Sequence, residues 1–151
     1  MTEQPARPLA QRKVDTLDRL EHDVDCWVAT ADLDGVAHLV PLSFRWDGES
    51  LLLATPASSP TGRNLRTAGT VRLALGETRD VVLLDGTVVE AILAPDLPSA
   101  EGDAFAIKTG FDPRELTGYL FFRIQPRRVQ AWREANELAG RDLMRDGRWL
   151  V

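Results

Sequence analysis

Hydroxyl and guanidinium groups are concentrated in one short segment, residues 55–66, whose spacing suits the binding of an anion. A β-prone run ends at Thr55, and Ser59-Pro60 is typical of a helix N-cap followed by proline at the first helical position. The backbone N–H groups and the dipole of a helix N-terminus attract phosphate. The side-chain donors available there are Thr55, Ser58, Ser59, Thr61 and Arg63. A plain N-cap beside a solvated arginine is the alternative interpretation of the same spacing.

Other reactive residue types are few and isolated. The chain has one cysteine, Cys26, and two histidines, His22 and His38, which argues against a disulfide framework and predicts no metal site. Cys26 is interpreted as a small buried hydrophobe and His38 as a packing or surface residue. Neither standard glycine-rich phosphate loop is present. No Ser-His-Asp or Cys-His arrangement has the partners that it requires nearby. The catalytic residues therefore stay unknown, and a reaction here would depend on a cofactor.

The elements that must position residues 55–66 are mostly strands. Hydrophobic periodicity and turn signals predict helices at about 9–24, 60–68 and 99–108, and strands at 26–31, 36–46, 51–55, 71–75, 80–91, 119–124 and 129–132. Asp34-Gly35 and Asp47-Gly48 are hairpin signals. Asp85-Gly86 fits either a third hairpin or a kink in one long strand, and barrel closure favours the kink. These elements predict a mainly β protein with a closed or nearly closed antiparallel barrel and peripheral helices.

Length and charge narrow the possible classes of protein further. The 151 residues correspond to one domain, and the net charge of −5 argues against general nucleic-acid binding. No apolar run approaches a membrane span, and the polar start lacks the features of a signal peptide, so a cytoplasmic protein is expected. Residues 1–8 are expected to be a disordered tail, residues 9–135 the barrel domain, and residues 136–151 a C-terminal extension that packs on the barrel or on a dimer partner.

An ordered set of short segments carries a resemblance to a known family. The segments are Trp27-Val28-Ala29-Thr30, Asp34-Gly35, Val40-Pro41-Leu42-Ser43-Phe44, Leu52-Leu53-Ala54-Thr55, Arg63-Asn64-Leu65, Asp85-Gly86-Thr87, and Arg123-Ile124-Gln125-Pro126-Arg127-Arg128-Val129 with Trp132. In this order the chain resembles the pyridoxamine 5′-phosphate oxidase-like superfamily of flavin- and deazaflavin-binding proteins. The resemblance covers about residues 10 to 135.

The resemblance implies a six-stranded split β-barrel of Greek-key type that forms a homodimer with two cofactor sites at its interface. It places the cofactor phosphate at the start of the second helix and the isoalloxazine ring along residues 41–44. Together with the donors named above, the candidate cofactor-binding residues are Pro41, Leu42, Ser43, Phe44, Thr55, Ser58, Ser59, Thr61, Arg63 and Asn64. The four tryptophans also favour a dimer, because such residues are enriched at interfaces.

The function expected from the resemblance is a reductase that transfers a hydride from FMN or the deazaflavin coenzyme F420 to a small organic substrate. The alternative is a flavin- or haem-binding barrel without turnover. The chain departs from the family pattern in two places. Thr61 stands where many relatives have a lysine, which removes one phosphate contact. Arg127 and Arg128 are not followed by the histidine of authentic pyridoxamine phosphate oxidases, so vitamin B6 oxidation is not expected.

Overall fold

The fold is mainly β, in a computed structural model that describes residues 4–151. Its strands are β1 (Asp25–Ala31), β2 (Ala37–Trp46), β3 (Leu51–Pro56), β4 (Thr70–Leu75), β5 (Val81–Leu93), β6 (Tyr119–Trp132), β7 (Asp142–Arg145) and β8 (Arg148–Trp149). Its helices are α1 (Leu9–His22), α2 (Pro60–Ala68) and α3 (Ser99–Thr109), with single 3₁₀ turns at Ala94–Asp96, Pro113–Glu115 and Ala135–Glu137.

Six antiparallel strands close into a barrel. The strand order is β3-β2-β1-β4-β5-β6-β7-β8, and β3 also pairs with β6, which joins the two ends of the six-stranded part. The predicted six-stranded antiparallel barrel with peripheral helices is therefore confirmed. Closure leaves β7 and β8 outside the ring as a hairpin that extends from β6.

The ambiguous segment around Gly86 is one long strand, as the kink interpretation predicted. The pairing of β5 with β6 shifts register between Asp85 and Gly86. A Cβ atom added at Gly86 would lie 2.5 Å from Cγ2 of Ile124, so only glycine permits this close crossing. Pro126 pairs with Gly86 at the shift and does not interrupt β6, which runs on to Trp132.

The core has two parts separated by the sheet. Inward-facing side chains fill the barrel, and the largest of those that are fully buried include Phe44, Phe122 and Ile124. A second cluster lies outside β3 and β6 under α3, where Phe105 and Phe121 meet edge to face with ring centroids 5.2 Å apart. This second cluster fixes α3 over one outer face of the sheet, next to the strands that the sequence assigns to the cofactor.

Both ends of the described chain contact the barrel. Residues 1–3 of the predicted tail lie outside the described residues, and residues 4–8 have no regular structure. Arg7 is nevertheless held in place, because its Nη2 donates to Oε2 of Glu137 at 2.8 Å. In the C-terminal extension, Leu143 and Met144 are buried in the barrel core of the same chain. Within residues 4–151, none of the helices combines the length and apolar character that crossing a membrane would need.

Candidate functional site

The turn between β3 and α2 is built by two hydroxyl groups. Ser59 is the N-cap of α2, and its Oγ accepts the N–H of Gly62 at 3.0 Å. The same hydroxyl donates to the carbonyl of Pro56 at 2.8 Å. Because Ser59 has only one proton to give, the 3.0 Å contact with Thr55 requires the Thr55 hydroxyl to be the donor. The hydroxyl protons of Thr55 and Ser59 are therefore both used inside the turn, where they shape it.

Gly62 allows the helix to start directly against this turn. A Cβ atom added there would lie 2.3 Å from the carbonyl oxygen of Pro56 and 3.1 Å from that of Ala57. These neighbours are backbone atoms, which cannot move aside as a flexible side chain would. Residue 62 must therefore be glycine for the turn and the helix to approach this closely.

Three groups at the start of α2 have the freedom to bind an anion. The Ser58 hydroxyl and the Arg63 guanidinium belong to exposed residues, and the guanidinium donates to the carbonyl of Ser58. The Thr61 amide lies in the first helical turn, where N–H groups have no intrahelical acceptor. Together they offer one full charge and two neutral donors around the turn.

Two of the candidate cofactor-binding residues in α2 have buried side chains. Thr61 is buried, so its hydroxyl does not face solvent, and its backbone amide is the group that the helix start leaves without an intrahelical acceptor. Asn64 is also buried, and its Nδ2 donates to Oγ1 of Thr30 in β1 at 3.1 Å. Asn64 therefore fastens α2 to the barrel, because helical periodicity turns it inward from the exposed Arg63.

A cavity of about 340 Å³ lies beside this turn, between β2 and α3. It is mostly apolar and aromatic, with lining residues Asp25, Pro41, Leu42, Ser43, Ala54, Pro56, Phe105, Phe111 and Tyr119. This volume is within the range of small-molecule sites. Three of the four residues predicted to lie along a cofactor ring, Pro41, Leu42 and Ser43, are thus in its wall.

Phe44, the fourth residue predicted along the ring, differs from the other three in the direction of its side chain. Alternation along β2 turns it into the barrel, where it is fully buried. Nζ of Lys108 lies 4.1 Å from the centroid of its ring and donates to the carbonyl of Leu20 at 3.2 Å. Burial lowers the pKa of Lys108. Phe44 and Lys108 thus link β2, α1 and α3 behind the cavity.

Sequence reasoning missed the residues that enclose the cavity from other elements. Phe105 and Phe111 come from α3 and the loop after it, and Tyr119 begins β6; the Phe111 and Tyr119 rings meet edge to face with centroids 5.7 Å apart. Asp25 was missed because it only precedes β1 in the pattern, yet it pairs with Ser43, whose hydroxyl donates to it at 2.6 Å. The register of β1 and β2 was the signal that could have found this pair.

Pro56 joins the cavity to the turn. It is the last residue of β3 and lines the cavity, while its carbonyl accepts both the amide of Ser59, at 3.1 Å, and the Ser59 hydroxyl. An apolar cavity and an anion-binding turn therefore share one residue. A ligand with a flat apolar part and a phosphate has both of its requirements met within a short distance.

Neither a reactive thiolate nor a metal site is found among the described residues. Cys26 is buried as predicted, and burial raises the pKa of its thiol to about 12, so it stays protonated at neutral pH. Residues 4–151 bring no three His, Cys, Asp or Glu side chains together in a way that would hold a metal ion.

Comparison with known proteins identifies the family. The sequence profile of pyridoxamine 5′-phosphate oxidase matches residues 16–133, most of the chain. The chain belongs to the pyridoxamine 5′-phosphate oxidase-like superfamily. The matched part contains the cavity, the turn and every candidate cofactor-binding residue. No curated protein matches the chain in sequence.

Several solved structures share the fold at low sequence identity. An F420 reductase is 18% identical with a TM-score of 0.63, covering 74% of this chain and 93% of its own. Rv2991, a conserved protein of Mycobacterium tuberculosis, is 21% identical with a TM-score of 0.65. The match covers 82% of this chain and 86% of Rv2991. HutZ, the haem storage protein of Vibrio cholerae, is 18% identical with a TM-score of 0.57. The match covers 76% of this chain and 89% of HutZ.

Proposed function

We propose that this protein binds a flavin-type cofactor, FMN or F420, and uses it to reduce a small organic substrate. One observation carries the proposal: the cavity beside Pro41 shares Pro56 with a turn that presents anion donors. The flat ring system of such a cofactor requires an apolar cavity, and its phosphate requires the donors. A solved structure with the same fold is an F420 reductase, which supports the same assignment.

The chain's own residues would bind and orient the cofactor. The guanidinium of Arg63 and the amide of Thr61 would hold the phosphate, while Thr55 and Ser59 keep the turn in shape. Aromatic side chains at the cavity wall would exclude water from the ring. When bound, the cofactor supplies the hydride chemistry that the side chains lack.

Titration of the purified protein with FMN, F420 and haem tests the proposal. We expect a flavin-type spectrum perturbed on binding and hydride transfer to a small acceptor dye when the reduced cofactor is supplied. A haem spectrum that forms in preference to the flavin complexes would favour the alternative of a haem-binding barrel. Flavin binding without transfer to any acceptor would favour a non-catalytic flavoprotein.

Arg63 is expected to be the main charged partner of the phosphate. Arg63→Ala should weaken FMN binding about tenfold to a hundredfold, because a hydrogen bond to a charged group contributes about 1.5–3 kcal/mol. The loss should be small for riboflavin, which has the same ring but no phosphate. Quenching of flavin fluorescence measures both affinities, and the salt dependence of FMN binding should flatten in the variant.

Arg79→Ala provides the matched control for this charge change. Arg79 is exposed and pairs with Glu134 at 3.2 Å, away from the turn. Its loss should leave FMN affinity within about twofold, since exposed ion pairs contribute little. Equal effects of the two substitutions, or equal losses for FMN and riboflavin in Arg63→Ala, would place the phosphate elsewhere.

We further propose that the protein is a homodimer through the outer face of β1 and β2. Trp27 is 47% exposed and pairs across the strands with Pro41, and Leu39 on the same face is 60% exposed. Exposed apolar side chains grouped on one sheet face are characteristic of protein interfaces. Because Pro41 also lines the cavity, a second copy on this face would border the cofactor site.

Light scattering tests the dimer. The parent protein should give twice the monomer mass at micromolar concentrations, and Leu39→Glu should give the monomer, because a charge buried in an apolar interface has no partner. Val14→Glu, at another exposed apolar residue, is the control and should stay dimeric. A parent protein that is monomeric throughout this range would contradict the proposal.

A further inference from the structure

A second groove lies on the outer face of β1, β4 and β5, beside the proposed dimer face, and shares no lining residue with the proposed cofactor cavity. Its volume is about 540 Å³, and its lining includes Ala29, Ala31, Thr70, Arg72, Thr87 and Arg127. The cavity lies at the Asp25 end of β1 and this groove at the Ala31 end. The nearest lining positions are closer than these ends: Pro41 of the cavity lies opposite Trp27, two residues along β1 from Ala29 of the groove, which is about 7 Å.

The register shift between β5 and β6 aims Arg127 at this groove. Asp85 pairs with Arg128, whereas the next residue, Gly86, pairs with Pro126, so Arg127 has no partner position on β5. An extra residue of this kind is a β-bulge, and bulges redirect side chains beside functional sites. The crossing at Gly86, which only glycine permits, is what creates the bulge.

The C-terminal hairpin supports the Arg127 guanidinium from behind. The amide of Gly147 donates to the carbonyl of Arg127 at 2.8 Å. A Cβ atom added at Gly147 would lie 2.9 Å from Nη1 of Arg127, so the guanidinium rests directly on this turn. Asp146 and Gly147 both have positive φ, at 54° and 77°, which makes the tight turn possible.

Arg127 also differs from its charged neighbours in having its donors available. Arg128 pairs with Asp142 at 3.1 Å, and Arg72 pairs with Asp85 at 2.6 Å, which neutralises the carboxylate in the groove. Within residues 4–151 the side chain of Arg127 has neither a hydrogen bond nor an ion pair. Thr70 and Thr87 stand opposite each other on β4 and β5 and add two hydroxyl groups.

We propose that this groove binds an oxyanion, a carboxylate or phosphate group of a small ligand, with Arg127 as its primary contact. The planar guanidinium presents paired donors that match both kinds of oxyanion. The threonine hydroxyls would complete the hydrogen bonding. The inference does not depend on the cofactor proposal, because it uses neither the cavity nor the start of α2.

Nuclear magnetic resonance titration with inorganic phosphate and with succinate tests the site on the full chain. Both probes are expected to shift the side-chain Nε–H signal of Arg127 and the amide signal of Thr87. The relative affinities of the two probes would show whether the site prefers phosphate or carboxylate. Arg127→Ala should weaken binding of the preferred probe at least about tenfold. Compared with Arg127→Ala, Arg127→Lys should restore part of the affinity for phosphate and less of that for succinate. Lysine keeps the positive charge but lacks the paired, planar N–H donors of the guanidinium.

Arg148→Ala is the control, since Arg148 is an exposed arginine on β8 of the same hairpin. It makes the same change of net charge and should alter the affinity less than about twofold. Equal weakening by Arg127→Ala and Arg148→Ala would show general electrostatic attraction and overturn the proposal. So would the absence of a saturable shift up to about 50 mM of either probe.

Discussion

Replacing Glu137 by alanine is expected to lower the free energy of unfolding by about 3–5 kcal/mol, the usual cost of breaking a buried ion pair. Glu137 is only 3% exposed, and its carboxylate accepts four hydrogen bonds. Three come from Arg7, including one from its amide, and one from the amide of Arg133. Without the carboxylate, the partly buried guanidinium of Arg7 loses its main partner and two backbone donors lose their acceptor.

Urea unfolding of Glu137→Ala beside Glu134→Ala measures this effect against a nearby carboxylate. Glu134 is exposed and contacts Arg79 at 3.2 Å, so its removal should cost less than about 1 kcal/mol. Glu137→Gln keeps the shape but loses the charge and should fall between the two. If Glu137→Ala unfolded at the same urea concentration as Glu134→Ala, the contacts between Arg7 and Glu137 would contribute nothing to stability.

The same carboxylate gives the fold a defined acid sensitivity. Hydrogen bonds from Arg7 hold the pKa of Glu137 at about 2, below its ordinary 4.5, and hydrogen bonds from Arg145 hold that of Asp142 at about 2, below 3.8. Both groups stay ionised in the folded state at a pH where the unfolded chain binds protons. Their stabilisation is therefore complete above about pH 4.5 and is lost as the pH falls towards 2. Glu137→Gln should flatten this part of the stability profile.

Local signals explain why the sequence predicted α2 so closely. Ser59-Pro60 fixed its start and Gly69 its end, and the structure places the helix at Pro60–Ala68 with Gly69 in the left-handed conformation. The strands on either side were predicted for a similar reason, since alternation and turn residues act over a few positions. The same local signals could not show which hydroxyl groups of the turn are consumed inside it.

The cavity depended on contacts that no local pattern contains. Phe105 lines the same cavity as Pro41 because α3 packs outside β3 and β6, and Tyr119 does so because β6 begins opposite Pro56 at the end of β3. The resemblance identified a strand for the cofactor ring but not the direction of each side chain. Phe44 faces the barrel core because alternate residues of a strand face opposite sides of the sheet. Asp25 and Arg127 emerged only from the strand register.

Gly62→Ala is expected to damage both the fold and the cofactor site. The added Cβ would lie 2.3 Å from the carbonyl oxygen of Pro56, which is itself held by the amide and the hydroxyl of Ser59. Relief of the overlap must move α2 away or break these two hydrogen bonds. Overpacking of this kind costs about 1–3 kcal/mol. Because the same movement displaces the donors of the turn, FMN affinity should fall more than about tenfold, a loss that fluorescence titration measures.

Gly102→Ala makes the same chemical change in another helix, α3, where the physical outcome should differ. There the added Cβ would meet Nη1 of Arg114 at 2.6 Å and its Cδ at 2.9 Å, so relief of the overlap moves a side chain and not the backbone, and it loosens the partly exposed ion pairs of Arg114 with Asp103 and Asp112. Alanine also favours a helix over glycine by up to about 1 kcal/mol, so the stability of this variant should stay within about 1 kcal/mol of the parent. If Gly62→Ala also kept the parent's stability and its affinity for FMN, the close approach of α2 to Pro56 would not shape a cofactor site. If it lost stability but kept FMN affinity, the turn would be structural and the phosphate would bind elsewhere.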